Sequence, residues 1–280
     1  MTGFSAEWLA LREPADHRAR NQAVLDDALA HLEGNPAPRL VDLGCGSGSN
    51  LRALAPHLPD GQVWRLVDAD PLLLQAAREA LTLWADRSET TSDGALMLWR
   101  GGKRIEVHFE AADLAHDLET VLDRPADLVT AAAFFDLVAP DWLARFCDAL
   151  LLRRLPLFAV LTYDGAEQWS PPHGADAEVL AAFHAHQTSD KGFGCAAGPG
   201  ASALLVEPFR KAGWLVTLGS SPWRLAAPDE APLMSALAEG AAGAVAETGR
   251  VAPAHLASWL EARRVAQACQ IGHMDIFAAP

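Results

Sequence analysis

Three glycines, Gly44, Gly46 and Gly48, alternate with small residues in "VDLGCGSGSN", residues 41–50. Glycine loses more backbone freedom on folding than any other residue, so such a cluster implies a tight turn or a close backbone approach. The apolar run before it reads as a buried strand and the residues after it as a helix. A strand, a glycine loop and a helix together bring backbone N–H groups up to a nucleotide. Carboxylates stand nearby in the same pattern: Asp42 before the loop, Asp68 in "RLVDAD", and Asp113 in "EAADLA".

The elements that must position these groups follow from hydrophobic periodicity. A helix is expected over 14–33, with Pro14 in its first turn, a stripe of Leu25, Ala28, Leu29 and Leu32, and Gly34 as its stop. Strands are expected at "RLVDLG", "VWRLVDAD", "ADLVTAAAF" and "LPLFAVLTYDG", with helices between them. Residues 85–94 read as a polar loop, and "LMLWRGGKRIEVHF" as a hairpin around Gly101-Gly102. The repeated βαβα order predicts a parallel, doubly wound α/β sheet with right-handed crossovers. After residue 165 a long polar and aromatic connection with a short helix runs to 200. A helix at 201–212, a strand at 213–219, Ala-rich helices near 229–248 and 253–270 and a last strand, "QIGHMDIFA", follow.

The identity of the nucleotide depends on the spacing. A dinucleotide fingerprint needs GxGxxG, but its third position here is Ser49. The pattern hydrophobic-Asp-x-Gly-x-Gly-x-Gly resembles the first motif of class I S-adenosylmethionine-dependent methyltransferases. Asp68, Asp113 and "DLV" at 127–129 stand where that family has its later motifs, so the resemblance covers residues 38–162. It implies a mostly parallel seven-stranded Rossmann-like sheet, with helical decorations over the active-site face. It also implies S-adenosylmethionine as cofactor and S-adenosylhomocysteine as product. Gly44 and Gly46 would leave room for the methionine part, Asp42 would attract its ammonium, and Asp68 would take the ribose hydroxyls. Asp113 would accept from the adenine amino group, with the Leu114 N–H facing a ring nitrogen. Ala131 and Ala132 would offer carbonyls to the ammonium. Cys45, Asn50, Ala69 and Ala112 flank these positions and complete the expected cofactor set. Because an N-terminal helix can cover the cofactor in this superfamily, Arg20 is a candidate for the methionine carboxylate. Plainer readings stand beside these: a helix cap at Asp70, a loop tie at Asp42, a space-filling Cys45, a turn cap at Asp113 and a solvated helix face at Arg20.

Composition limits the partners. The chain has 280 residues, 50% of them hydrophobic, and a net charge of −14, which disfavours a phosphate-tracking surface and hence nucleic acid. The four cysteines have no metal-ligand spacing, so no metal site is expected. The first residues lack a signal-peptide core and no apolar run reaches the ~18 residues that span a bilayer, so a cytoplasmic protein away from membranes is expected. The length fits a single domain divided as an N-terminal helical cover (1–37), a cofactor-binding core (38–162), a substrate-side insertion (163–200) and C-terminal helices with the last two strands (201–280). The oligomeric state stays open.

Ligands in such sheets lie beyond the carboxyl ends of the strands. The insertion there predicts a roofed pocket for a small molecule, an O- or N-nucleophile. On its helix, Val179, Leu180 and Phe183 share a face that His186 and Gln187 continue. Tyr163, Gln187, Lys191, Trp223 and Arg224 are the substrate-side candidates. His186, which titrates near neutrality, is the first candidate base and Asp164 the second. Rival readings are a NAD-type oxidoreductase, a non-catalytic S-adenosylmethionine-binding protein and an aminopropyltransferase.

Overall fold

The structure is a computed structural model that describes residues 4–189 and 193–280. Lys191 therefore lies outside the described residues. The N-terminal helical region divides in two: α1 (Ala6–Ala19) carries Pro14 inside it, and α2 (Gln22–His31) starts at the Asn21 cap, whose side chain accepts from Val24 N. The expected single helix from Pro14 is thus displaced toward the N-terminus, with Ser5 accepting from Trp8 N as its cap.

β1 (Arg39–Leu43), α3 (Ser49–Leu54), β2 (Gln62–Asp68) and α4 (Pro71–Trp84) follow. Next come β3 (Arg87–Thr90), β4 (Leu96–Arg100), β5 (Lys103–Ala111) and α5 (Leu118–Leu122). β6 (Leu128–Ala132), α6 (Pro140–Arg153), β7 (Leu157–Ser170) and α7 (Asp176–Gln187) lead to α8 (Ala201–Lys211) and β8 (Leu215–Ser220). β9 (Trp223–Ala226), α9 (Ala231–Thr248), α10 (Pro253–Arg264) and β10 (Ala268–Ala279) complete the chain.

The sheet order is β3-β4-β5-β2-β1-β6-β7-β10-β8, with β9 paired to β10. Its centre, β5-β2-β1-β6-β7, is parallel, and β10 runs antiparallel between β7 and β8. Those seven strands are the expected doubly wound sheet. The other three make it a 10-stranded one. The segment expected as a polar loop contains β3, which pairs antiparallel with β4, and the Gly101-Gly102 hairpin joins β4 to β5. β9 adds a short strand at the far end.

Two apolar layers cover the sheet. One face packs Leu143, Phe146, Cys147 and Leu150 of α6 with Leu205 and Phe209 of α8. The other packs Val24 and Leu25 of α2, Leu51 and Leu54 of α3, and Ala77 and Leu81 of α4. Burying each large side chain contributes about 1.5–3 kcal/mol. A third cluster lies elsewhere, around Trp169, Trp223, Trp259 and Met234. It exists because β7 does not stop at Gly165. It runs on to Ser170, paired along its length with β10, and lifts a ribbon of strand beyond the sheet. The expected connecting loop therefore begins as strand, and α7, α9 and α10 pack around that ribbon.

Candidate active site

β1 lies between β2 and β6, which sets Asp42 level with Leu66 and Thr130. The turn after it takes left-handed backbone at all three glycines, with φ of 62°, 53° and 76° at Gly44, Gly46 and Gly48. A side chain at those angles is strained. The turn is tied down by Cys45 N donating to Val67 O (3.0 Å) and Gly48 N donating to Cys45 O (2.9 Å).

The carboxylates hold this turn. Asp68 Oδ2 accepts from Gly46 N (2.9 Å) and Oδ1 from Asp70 N (3.0 Å). Each oxygen keeps a further lone pair, so the group can accept from two more donors. Burial raises its pKa, against the pull of these amides. Asp42 is fully buried, and its Oδ1 accepts from Asn50 Nδ2 (2.6 Å), which also donates to Thr130 Oγ1 (3.0 Å). Asn50 Oδ1 in turn accepts from Arg20 Nη2 (2.8 Å). The chain Arg20–Asn50–Asp42 ends in unfilled positions: Arg20 Nε and Nη1 and Asp42 Oδ2 are buried with no partner. Burial pushes Asp42 up to about 7, offset in part by Asn50 and the Arg20 charge.

Other expected cofactor residues fall around this network. Ala69 follows Asp68, and Ala112 N donates to the Asp68 carbonyl (3.1 Å). Asp70 caps α4 through Leu72 N (2.8 Å). The Asp113 carboxylate is exposed and accepts from Ala115 N (2.9 Å) beside His116 Nδ1 (2.9 Å), so here it closes a turn. Leu114 is buried, with its carbonyl taking the Trp142 indole N–H (2.7 Å). Cys45 is buried, and burial pushes its thiol well up, which leaves it a space-filling group. Ala131 and Ala132 end β6. Side chains pack closely on both glycines: a Cβ on Gly44 would meet the Phe134 ring at 2.6 Å, and one on Gly46 would meet Leu9 at 2.9 Å.

Beyond the ends of β6 and the regular part of β7 lies a cavity of about 510 Å³. Its floor includes Ala133 and Leu161, both left-handed without being glycine (φ 50° and 58°). Such residues cost about 1–3 kcal/mol each and persist only where neighbours hold them. Ala133 N donates to Val160 O (2.9 Å) and Leu161 N to Asp275 Oδ1 (2.8 Å). Asp275 is fully buried and also accepts from Ser221 Oγ (2.6 Å) and Asn21 N (2.8 Å), which ties β7, β10, the turn before β9 and the start of α2 together.

The walls come from strand alternation. Tyr163, Glu167 and Trp169 share one face of β7 and line the cavity, as do Ile271 and His273 of β10 and Trp223 of β9. Asp164 is on the opposite face, with Oδ1 accepting from Ala166 N (2.8 Å) and its carboxyl over Gly272. Arg224 is exposed. These two expected residues do not line the cavity. α7 delivers Phe183, His186 and Gln187 to the wall. His186 Nε2 lies 3.0 Å from exposed Glu247 Oε2. Tyr163 OH pairs with His184 Nε2 (3.0 Å), and burial raises its pKa.

Three wall residues escaped the sequence reading. Asp136 is 6% exposed, its Oδ2 accepts from Gln187 Nε2 (3.4 Å), its Oδ1 has no partner, and burial pushes it up to about 6. His273 is buried and pushed down to about 3, so its ring is neutral. Glu167 carries the Trp169 indole N–H and is raised by burial. The available signal was "GHMDIF", an apolar strand interrupted by His273 and Asp275. Among the described residues, no group of three or more His, Cys, Asp or Glu could hold a metal ion, and no helix is long and apolar enough to cross a membrane.

No family model matches the chain. It is 32% identical over 102 residues to trans-aconitate 2-methyltransferases of Mycobacterium ulcerans and Mycobacterium marinum. The match covers 36% of this chain and about a third (34%) of each relative. Among solved structures, it superposes on a cyclopropane-fatty-acyl-phospholipid synthase-like protein from Lactobacillus casei with a TM-score of 0.56 at 16% identity, covering 96% of this chain and 92% of that one. The cyclopropane synthase MmaA2 from Mycobacterium tuberculosis gives a TM-score of 0.51 at 15% identity, covering 99% and 95%. With its strand order, glycine turn and strand-tip carboxylate, the chain has the Rossmann-like fold of class I S-adenosylmethionine-dependent methyltransferases.

Proposed function

We propose that the protein transfers the methyl group of S-adenosylmethionine to a small organic molecule held in the cavity beyond β6 and β7. One observation carries this reading: buried Asp42 and Arg20 end in unpartnered atoms of opposite charge beside the glycine turn and Asp68. A carboxyl oxygen and guanidinium nitrogens left bare in a buried site suit an amino acid's ammonium and carboxylate. The acceptor positions left on Asp68 suit a pair of ribose hydroxyls. The residues present therefore fit the cofactor, although Phe134 and Leu9 must shift if its methionine part is to pass Gly44 and Gly46.

When bound, S-adenosylmethionine supplies an electrophilic methyl group on a good leaving group. The chain's part is then largely positional. Arg20, Asn50 and Asp42 set the amino-acid end, and Asp68 sets the sugar. The apolar walls exclude water from the acceptor, and Asp136 offers a carboxylate that can take a proton near neutral pH. A cavity of about 510 Å³ suits a small molecule and favours turnover over cofactor binding alone.

Isothermal titration with S-adenosylmethionine, S-adenosylhomocysteine and NAD tests the reading. Binding of the first two with no heat from NAD is expected. Heat from NAD alone, or from none of the three, overturns it.

A further inference from the structure

The cavity has a chemical bias of its own. Its walls are aromatic: Trp8, Tyr163, Trp169, Phe183 and Trp223 surround it. Among the described residues one strongly basic side chain lines it, Arg12, and that charge is paired with Asp16. Arg12 Nε and Nη2 donate to the two oxygens of Asp16 (2.9 and 3.1 Å), and its guanidinium stands 4.9 Å from the Trp223 ring centre. Asp16 also accepts the Trp223 indole N–H (3.0 Å), so the pair is locked into the wall.

The acids are matched less well. Asp136 and Glu167 both line the cavity; the Arg12 charge and nearby backbone amides favour the Asp136 carboxylate, but its Oδ1 has no hydrogen-bond partner. Gln187 is in the same condition. A carboxylate only accepts, so the amide must turn its NH₂ toward Asp136, and this leaves Gln187 Oε1 buried and unpaired. Two adjoining wall residues therefore lack the same thing, a hydrogen-bond donor. Leaving such groups unsatisfied in a buried site is unfavourable. A ligand that donates, carries positive charge and prefers aromatic faces removes that cost. Ammonium groups have all three properties. His273, the imidazole between Tyr163 and Trp223, is held neutral and does not oppose such a charge.

We propose that the cavity selects an organic amine, with its nitrogen donating to Asp136 and Gln187 and its carbon frame lying against the aromatic walls. This rests on the reading of the cavity as the acceptor site of a methyltransferase. It goes further by naming the substrate class. The remaining cavity groups divide by role: Trp169 and Trp223 shape the walls, Arg12 fixes Trp223, and His186 stands at the α7 side beside Glu247.

The test uses three probes of matched shape on the full chain without cofactor: 2-phenylethylamine, 2-phenylethanol and 3-phenylpropionate. Binding is followed by titration calorimetry and by tryptophan fluorescence. The amine is expected to bind at least about tenfold more tightly than the alcohol, the size of one charge-assisted hydrogen bond. Asp136→Asn should reduce that preference to under about twofold. Gln187→Leu should reduce it partially, and it serves in place of Asp136→Asn should that variant fail to fold. The inference is overturned if the carboxylate binds best and loses affinity in Arg12→Gln. It is equally overturned if neither variant alters the preference, or if no probe binds with a Kd below about 10 mM. Protein that binds S-adenosylmethionine but shows no amine preference sinks this inference alone. Protein that prefers amines but does not bind S-adenosylmethionine sinks the methyltransferase reading and leaves the amine site standing.

Discussion

The two halves of the site are built by different means. The proposed cofactor side is mostly backbone: three left-handed glycines, amides tied to Asp68, and a short relay through Asn50. The cavity side is mostly side chain, gathered from α1, β7, α7, β9, α9 and β10 across almost the whole chain. A ligand held through backbone conformation demands particular residues at particular local spacings. A cavity of packed walls demands shape, which many residue combinations can supply. This is why one half reads as a motif and the other does not.

The largest expected break is Asp275→Ala. It strands two buried donors, Leu161 N and Ser221 Oγ, besides the part-buried Asn21 N, and should cost about 2–6 kcal/mol at the 1–3 kcal/mol typical of each buried group. Urea denaturation measures this, and a loss under about 1 kcal/mol would mean that Asp275 does not hold the two halves together.

Asp68→Ala should weaken S-adenosylmethionine binding by about 100-fold or more, since it removes two charge-assisted hydrogen bonds. Calorimetry on the same sample should find affinity for the amine probe unchanged, because Asp68 is not among the cavity-lining residues. A parallel loss of both would erase the distinction between the halves.

Gly44→Ala places a methyl group against the Phe134 ring at a left-handed position and should cost about 1–3 kcal/mol. The double variant with Phe134→Ala should recover the steric part and leave the conformational part. A cycle showing no coupling would separate the turn from the residue that covers it.

Protonation sharpens the comparison further. Burial holds Asp42 up to about 7 and Asp136 up to about 6, against roughly 4 in an unfolded chain. The native state thus keeps protons that the unfolded state releases. These groups make stability fall as pH rises from about 4 to about 7. Asp42→Asn, which still accepts from Asn50, should raise Tm at pH 8 and flatten that slope in thermal scans. An unchanged slope would place the buried charge elsewhere. His186→Ala should give the smallest effect, under about threefold in kcat/KM, because its ring already faces the exposed Glu247 carboxylate.

The parallel βαβα succession, the glycine turn, the Asp70 cap and the helices α4 and α6 were legible in the chain. Each depends on local periodicity or on a single backbone angle. The continuation of β7 to Ser170 was not legible. "YDGAEQWS" resembles a loop until β10 supplies the opposite edge. Asp164 and Tyr163 looked equally suited to chemistry from spacing alone, but strand alternation sends only Tyr163 into the cavity.

From residue order alone come the class of fold, the left-handed glycine turn and the carboxylate at the tip of β2, since these rest on short-range geometry. Folding in three dimensions selected Asp136, Gln187 and His273 as neighbours, closed Leu9 and Phe134 over the glycines, and left donor-seeking atoms in an aromatic cavity. Those outcomes depend on which distant surfaces meet and which polar atoms are then cut off from water, and neither is encoded within a short stretch of chain.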